Sequence, residues 1–203
     1  AAAMLAFAEY VPADVPRIAL VDFNNDSITD GLRTMEAMFK RYSSRMLAGN
    51  EAEAQKYVLF GVRLDTSGSL RDGNVPPLGD PALDLGGIPR LVFNMRRALD
   101  NAWQHWALPS SVEEMAKEYC QNVRIVVTGG FNPAKITRFE KLQVPVDIYG
   151  VGSSLLLNDK ETNTDFTADV VRVLIDGKWH DMAKVGRKAS DNPELSPVDL
   201  ASL

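Results

Sequence analysis

The chain has 203 residues, of which 45% are hydrophobic and 24% charged, with a net charge of −5 and a pI of about 5.1. That is the composition of a soluble globular protein with a sizeable core. The acidic balance gives nucleic acid no electrostatic footprint, and no apolar run reaches membrane-spanning length. One cysteine, Cys120, excludes an internal disulfide framework and suits a reducing cytoplasm; its expected role is packing at a helix end.

The opening, residues 1–8, has no initiator methionine and no basic leader. It reads as the middle of an apolar helix in a longer chain, closed by Pro12 and Pro16. Residues 17–21 form a strand that ends in the polar cluster 22–26. A helix follows, capped by Asp26 or Ser27, with Ile28, Leu32, Met35, Met38, Phe39, Tyr42 and Met46 on its core face. Gly49-Asn50 breaks it. Residues 57–64 are the next strand, and it ends in Asp65-Thr-Ser-Gly68. Residues 69–89 carry eight glycines and prolines and read as a long loop. Helices are expected over 91–106, with Arg96 and Arg97 on the solvated side, and over 111–119.

Two neighbouring βα units come next. Residues 123–130 are a β-branched run ending in Gly129-Gly130, and residues 131–142 are its helix. Residues 144–149 are a second run, followed by Gly150-Val-Gly-Ser-Ser154 and another helix start. Short continuous apolar runs suit strands buried on both faces of a parallel sheet. Glycine at a strand end permits positive φ and close approach of a ligand. Helix first turns offer free N–H groups to an anion. Residues 165–185 read as a β-hairpin turning at Asp176-Gly177, and the tail from Gly186 as extended.

The order of elements makes the chain α/β, with polar residues gathered just past the strand ends, where such folds build sites. Asp22 and Asp26 follow the first strand, and Arg63 and Asp65 the second. Two readings of Arg63 and Asp65 stand. One is a structural ion pair; in the other, Asp65 accepts from ribose hydroxyls or holds Mg²⁺ through water while Arg63 meets a pyrophosphate oxygen. Asp26 reads foremost as a helix cap. The sequence holds no Ser/His/Asp spacing, no Cys/His metal cluster, and no complete G-x-G-x-x-G or Walker motif. His105 and His180 read as surface or packing residues.

Six ordered blocks carry a resemblance: residues 18–26, 60–67, 126–131, 144–154, 165–171 and 183–187. Together they resemble nicotinate phosphoribosyltransferase. The resemblance implies a type II phosphoribosyltransferase fold, an irregular α/β barrel with a separate α+β domain. On that basis residues 1–160 are expected to form part of the barrel and residues 161–203 to belong to the second domain. The implied reaction joins nicotinate to phosphoribosyl pyrophosphate, giving nicotinate mononucleotide and pyrophosphate, with ATP as co-substrate and Mg²⁺. It assigns Asp22, Arg63 and Asp65 to the chemistry, with Asp65 facing the metal through water. Thr128, Gly129 and Gly130 would line the ribose, and Gly150, Gly152, Ser153 and Ser154 the 5′-phosphate.

The family's N-terminal half has no counterpart here, including its base-contacting arginines and its phosphorylated histidine, a role neither His105 nor His180 inherits. The chain is therefore expected to supply the C-terminal part of a cytoplasmic enzyme, completed by a missing N-terminal half or in a homo-oligomer. A related quinolinate or nicotinamide phosphoribosyltransferase, or a non-catalytic phosphosugar-binding remnant, remain the alternatives.

Overall fold

The computed structural model describes residues 1–156 and 170–182. Contacts divide the chain into Ala1–Leu157 and Asn158–Leu203. In the first unit the helices α1 (Ala2–Tyr10), α2 (Ser27–Leu47), α3 (Glu51–Gln55), α4 (Pro81–Asp84), α5 (Pro89–Asn101), α6 (Ser110–Asn122), α7 (Pro133–Lys141) and α8 (Ser153–Leu156) alternate with four strands. These are β1 (Ile18–Leu20), β2 (Gly61–Leu64), β3 (Arg124–Val127) and β4 (Ile148–Tyr149). All neighbours pair parallel, in the spatial order β1-β2-β3-β4.

A parallel sheet whose strands follow each other in chain order places successive crossovers on one face. Burial shows it. Ala19, Val62, Leu64, Ile125 and Val127 point into the helices and are at most 2% exposed, whereas Ile18, Leu20 and Ile148 on the other face are 36–55% exposed. Leu20, Arg63, Val126 and Ile148 are cross-strand partners in one row of that second face. The expectation of strands buried on both faces therefore holds for much of β2 and β3 and is corrected for the edge strands β1 and β4. The edge strand β1 alternates between covered and open positions, whereas the inner strands β2 and β3 keep Gly61 and Val126 buried on the second face as well.

Local chemistry explains the elements. The Asp26 carboxylate caps α2 by accepting from the Thr29 N–H at 3.2 Å, and Met35, Met38 and Phe39 form its buried stripe. Gly31 lies where α2 meets α5, since a Cβ there would stand 3.3 Å from Met95 Cε. Asn50 caps α3, a short helix that the break at Gly49-Asn50 concealed. α5 starts at Pro89, two residues earlier than its periodicity suggests, because proline suits a first helical position. It stops at Asn101, and a 3₁₀ turn over Ala102–His105 completes the expected segment.

Arg96 is not on a solvated face. Its guanidinium donates to the carbonyls of Val123 (2.6 Å) and Cys120 (3.2 Å) and pairs with Asp100, tying α5 to the end of α6. Cys120 is buried at that helix end, where burial pushes its thiol pKa up to about 12.

The expected 69–89 loop holds one short helix, α4, and is tied down by two buried carboxylates. Asp84, 6% exposed, accepts from the N–H groups of Leu78 and Gly79 and from Arg90. Asp72, 1% exposed, accepts from Ser27 N–H and Asn74 N–H, which fastens the segment to the start of α2.

In the second unit, β5 (Arg172–Ile175) and β6 (Lys178–Asp181) pair antiparallel around Asp176 and Gly177, both at positive φ (48° and 73°), as a two-residue hairpin turn requires. The rest of the expected hairpin, the blocks at 165–169 and 183–187, and the tail lie outside the described residues.

Candidate functional site

A cleft of about 370 Å³ opens at the C-terminal ends of β2, β3 and β4. Arg63, Asp65, Thr128, Gly129, Gly130, Gly150, Gly152 and Ser153 line it, together with Phe131 and Val151. The parallel register brings them together. Arg63 is the partner of Val126, and Leu64 of Val127, so Asp65 and Thr128 leave adjacent strands side by side.

Three side chains form one bonded unit on the wall. Arg63 Nη2 donates to Asp65 Oδ2 at 2.7 Å, and Arg63 Nε donates to Thr128 Oγ1 at 3.3 Å. The Thr128 hydroxyl proton has two acceptors in reach, the Leu64 carbonyl at 3.3 Å and the Asp65 carboxylate. Partial burial works to raise the Asp65 pKa, but the hydrogen bonds from Arg63 and Thr128 and the Arg63 charge outweigh it. The carboxyl is held below its usual value, so Asp65 is an anion and Arg63 a cation near neutral pH.

The opposite wall is backbone. Gly129 and Gly130 both take positive φ, 88° and 65°, and a Cβ on Gly129 would stand 3.3 Å from Asp65 Oδ1. The Gly150 N–H donates to the Val127 carbonyl at 2.8 Å, which holds the β4 turn against β3. A Cβ on Gly150 would stand 2.4 Å from Thr128 Cγ2, so a side chain here would force a neighbour to move. The 65–88 segment backs the cleft, with Gly87 packed on the Thr128 carbonyl and the Phe131 ring. Phe131, 2% exposed, stacks edge-on against Phe139 with ring centroids 5.0 Å apart.

The helix start after Gly130 differs from expectation. Pro133 has no N–H, and the Asn132 side chain accepts from the Lys135 N–H at 2.8 Å, so α7 caps its own N-terminus. Its first turn is largely spent internally and is not a general anion seat. α8 is a single turn, and Ser154 does not line the cleft although Ser153 does.

Asp22 also stays outside the cleft. It is half-buried at the β1 end, where its carbonyl accepts from the Asn25 N–H in a tight turn. Asp26 acts as the α2 cap and also bonds to Asn74. His105 lines a separate groove between α2 and α5, and His180 is exposed on β6. Phe131, Val151 and Lys135 were not singled out from the sequence. The only signal was their adjacency to the glycine pair.

For a divalent cation the fit is limited to one carboxylate. Among the described residues no cluster of three or more His, Cys, Asp or Glu side chains gathers to hold a metal. Asp65 suits an ion that arrives with a phosphorylated substrate and keeps its water, as Mg²⁺ does. Chemically, the cleft offers a cation, an ionised acceptor and close-approach backbone, a set that matches an anionic, hydroxyl-bearing ligand.

Comparison of the chain with protein-family models, with curated proteins and with solved structures finds no match.

Proposed function

We propose that this cleft binds a phosphorylated ribose and that the chain contributes to phosphoribosyl transfer onto nicotinate, in part of an irregular α/β barrel. The observation that carries the reading is the Arg63–Asp65–Thr128 unit facing the side-chain-free backbone of Gly129, Gly130 and Gly150. A phosphosugar needs both, positive charge for its phosphates and an acceptor for its hydroxyls, on walls without side chains.

In this reading the C1–oxygen bond of phosphoribosyl pyrophosphate breaks and its electron pair leaves with pyrophosphate. The nicotinate ring nitrogen then bonds C1. Positive charge builds on the ribose as the bond breaks. Arg63 balances the charge of the leaving pyrophosphate, and Asp65 orients the ribose through its hydroxyls or a water of the substrate's Mg²⁺. The roles of Asp22, placed at the neighbouring β1 end, of Ser154 and of ATP as co-substrate rest on the resemblance; the described residues carry no group that we assign to the ATP step.

Calorimetric titration of the chain with phosphoribosyl pyrophosphate and Mg²⁺, beside Asp65→Ala, tests the reading. Binding by the parent, weakened about 30-fold or more in the variant, is expected from loss of one charged hydrogen-bond partner. Absence of binding by the folded parent would overturn it.

A further inference from the structure

Lys135 stands one helical turn from the cleft without lining it. Among the described residues it makes no ion pair. Its ammonium donates to the Gly129 carbonyl at 3.0 Å and sits 4.1 Å from the centroid of the Phe131 ring. A lysine in the first turn of α7 faces the positive end of the helix dipole, with Arg138 nearby. That placement is unfavourable for a cation unless these two contacts offset it. Burial, aided by Arg138, lowers its pKa.

What the contact controls is the Gly129–Gly130 peptide. Glycines flank it on both sides, so no Cβ resists a flip of its plane. The bond from Lys135 fixes the carbonyl toward α7. In a trans peptide the N–H then points the opposite way. No acceptor for the Gly130 N–H exists among the described residues, and Gly130 lines the cleft.

We propose that Lys135 is a positioning residue: it locks the Gly129–Gly130 peptide so that the Gly130 N–H faces the cleft and donates to an oxygen of the bound phosphorylated sugar. The inference rests on the phosphosugar reading above. Without the lysine, the peptide samples both orientations, and the ligand must select one.

The test is ¹⁵N-resolved NMR of the full chain and of Lys135→Met and Lys135→Arg, titrated with phosphoribosyl pyrophosphate and Mg²⁺. In the parent, the Gly130 amide proton moves downfield on binding. In K135M affinity drops about tenfold, the value of one neutral hydrogen bond, and the Gly130 shift is lost while the Asp65 amide still responds. K135R, which keeps a donor for Gly129, restores most of both. Parent-like affinity and Gly130 shift in K135M would overturn the proposal and leave the phosphosugar reading intact. If K135M does not fold, K135R decides: a folded K135R that binds without a Gly130 shift overturns it too. No binding by the parent overturns the phosphosugar reading and this inference together.

Discussion

Gly150 and Thr128 interlock: a Cβ on the glycine would stand 2.4 Å from the threonine Cγ2, well inside van der Waals contact. The threonine cannot turn aside freely, because its Oγ1 is engaged with Arg63 and the Leu64 carbonyl. Gly150→Ala must therefore push β4 from β3 or break the Arg63–Thr128 bond. We expect a loss of about 1–3 kcal/mol in stability and a matching loss of ligand affinity. The double variant with Thr128→Ser removes the clashing methyl and keeps the hydroxyl. It should recover most of both, as read by thermal unfolding and calorimetry; additive losses in the double variant would show that the two residues do not interlock.

Three carboxyl groups, Asp26, Asp65 and Asp84, are held below their usual pKa. In each, burial pulls upward and is outweighed by hydrogen bonds, from Asn74 and Thr29, from Arg63 and Thr128, and from Leu78, Gly79 and Arg90 respectively. The unfolded chain then binds more protons than the folded one below the ordinary aspartate value of about 4. Stability contributed by these groups is present above that pH and is lost as pH falls through the lower folded values. Thermal midpoints measured from pH 6 down to pH 2.5 should fall mainly below about pH 4, and Asp84→Asn should flatten the fall. An unchanged slope in that variant would remove Asp84 from the account.

Tyr119 on α6 completes β2 where the sheet does not. Its hydroxyl donates to the Tyr57 carbonyl at 2.6 Å and accepts from the Leu59 N–H at 3.0 Å, just before the first paired residue, Gly61. Burial pushes its pKa well above that of a free tyrosine, so it stays a neutral donor at any working pH. Tyr119→Phe keeps the packing and orphans two buried backbone groups. Chemical denaturation should show a loss of about 1–3 kcal/mol.

Where the pattern was long or chemically distinctive, the sequence was readable. The α2 stripe from Met35 to Phe39, the Asp26 cap and the Asp176-Gly177 turn each follow from local rules that tertiary structure did not override. The gathering of Arg63, Asp65, Thr128 and the glycines was foreseeable because residues at the C-terminal ends of adjacent parallel strands must converge. Asp22 lies at the β1 end outside the cleft lining, because position at a strand end does not fix side-chain direction. α4 was hidden because Asp84, which closes that segment, collects partners from Leu78 to Arg90 with no periodic trace. Lys135 was equally silent, since its partner is a carbonyl that carries no side-chain code.

Among the described residues, Arg17 is the largest buried charge without a carboxylate partner. It is 2% exposed, and its guanidinium donates to four backbone carbonyls, those of Val11, Pro12, Val15 and Lys56. It thereby joins the turn after α1, the start of β1 and the end of α3, and its guanidinium also approaches the Phe7 ring at 5.7 Å. A lysine cannot replace this fork, because one ammonium cannot reach carbonyls spread around a plane. Arg17→Lys should cost nearly as much as Arg17→Met, about 1–3 kcal/mol, since both leave part-buried carbonyls unpaired. Hydrogen exchange would then show α1 opening before the β2–β3 core. If Arg17→Lys unfolds at the parent's denaturant midpoint, the four carbonyls are satisfied by water and the fastening role is wrong.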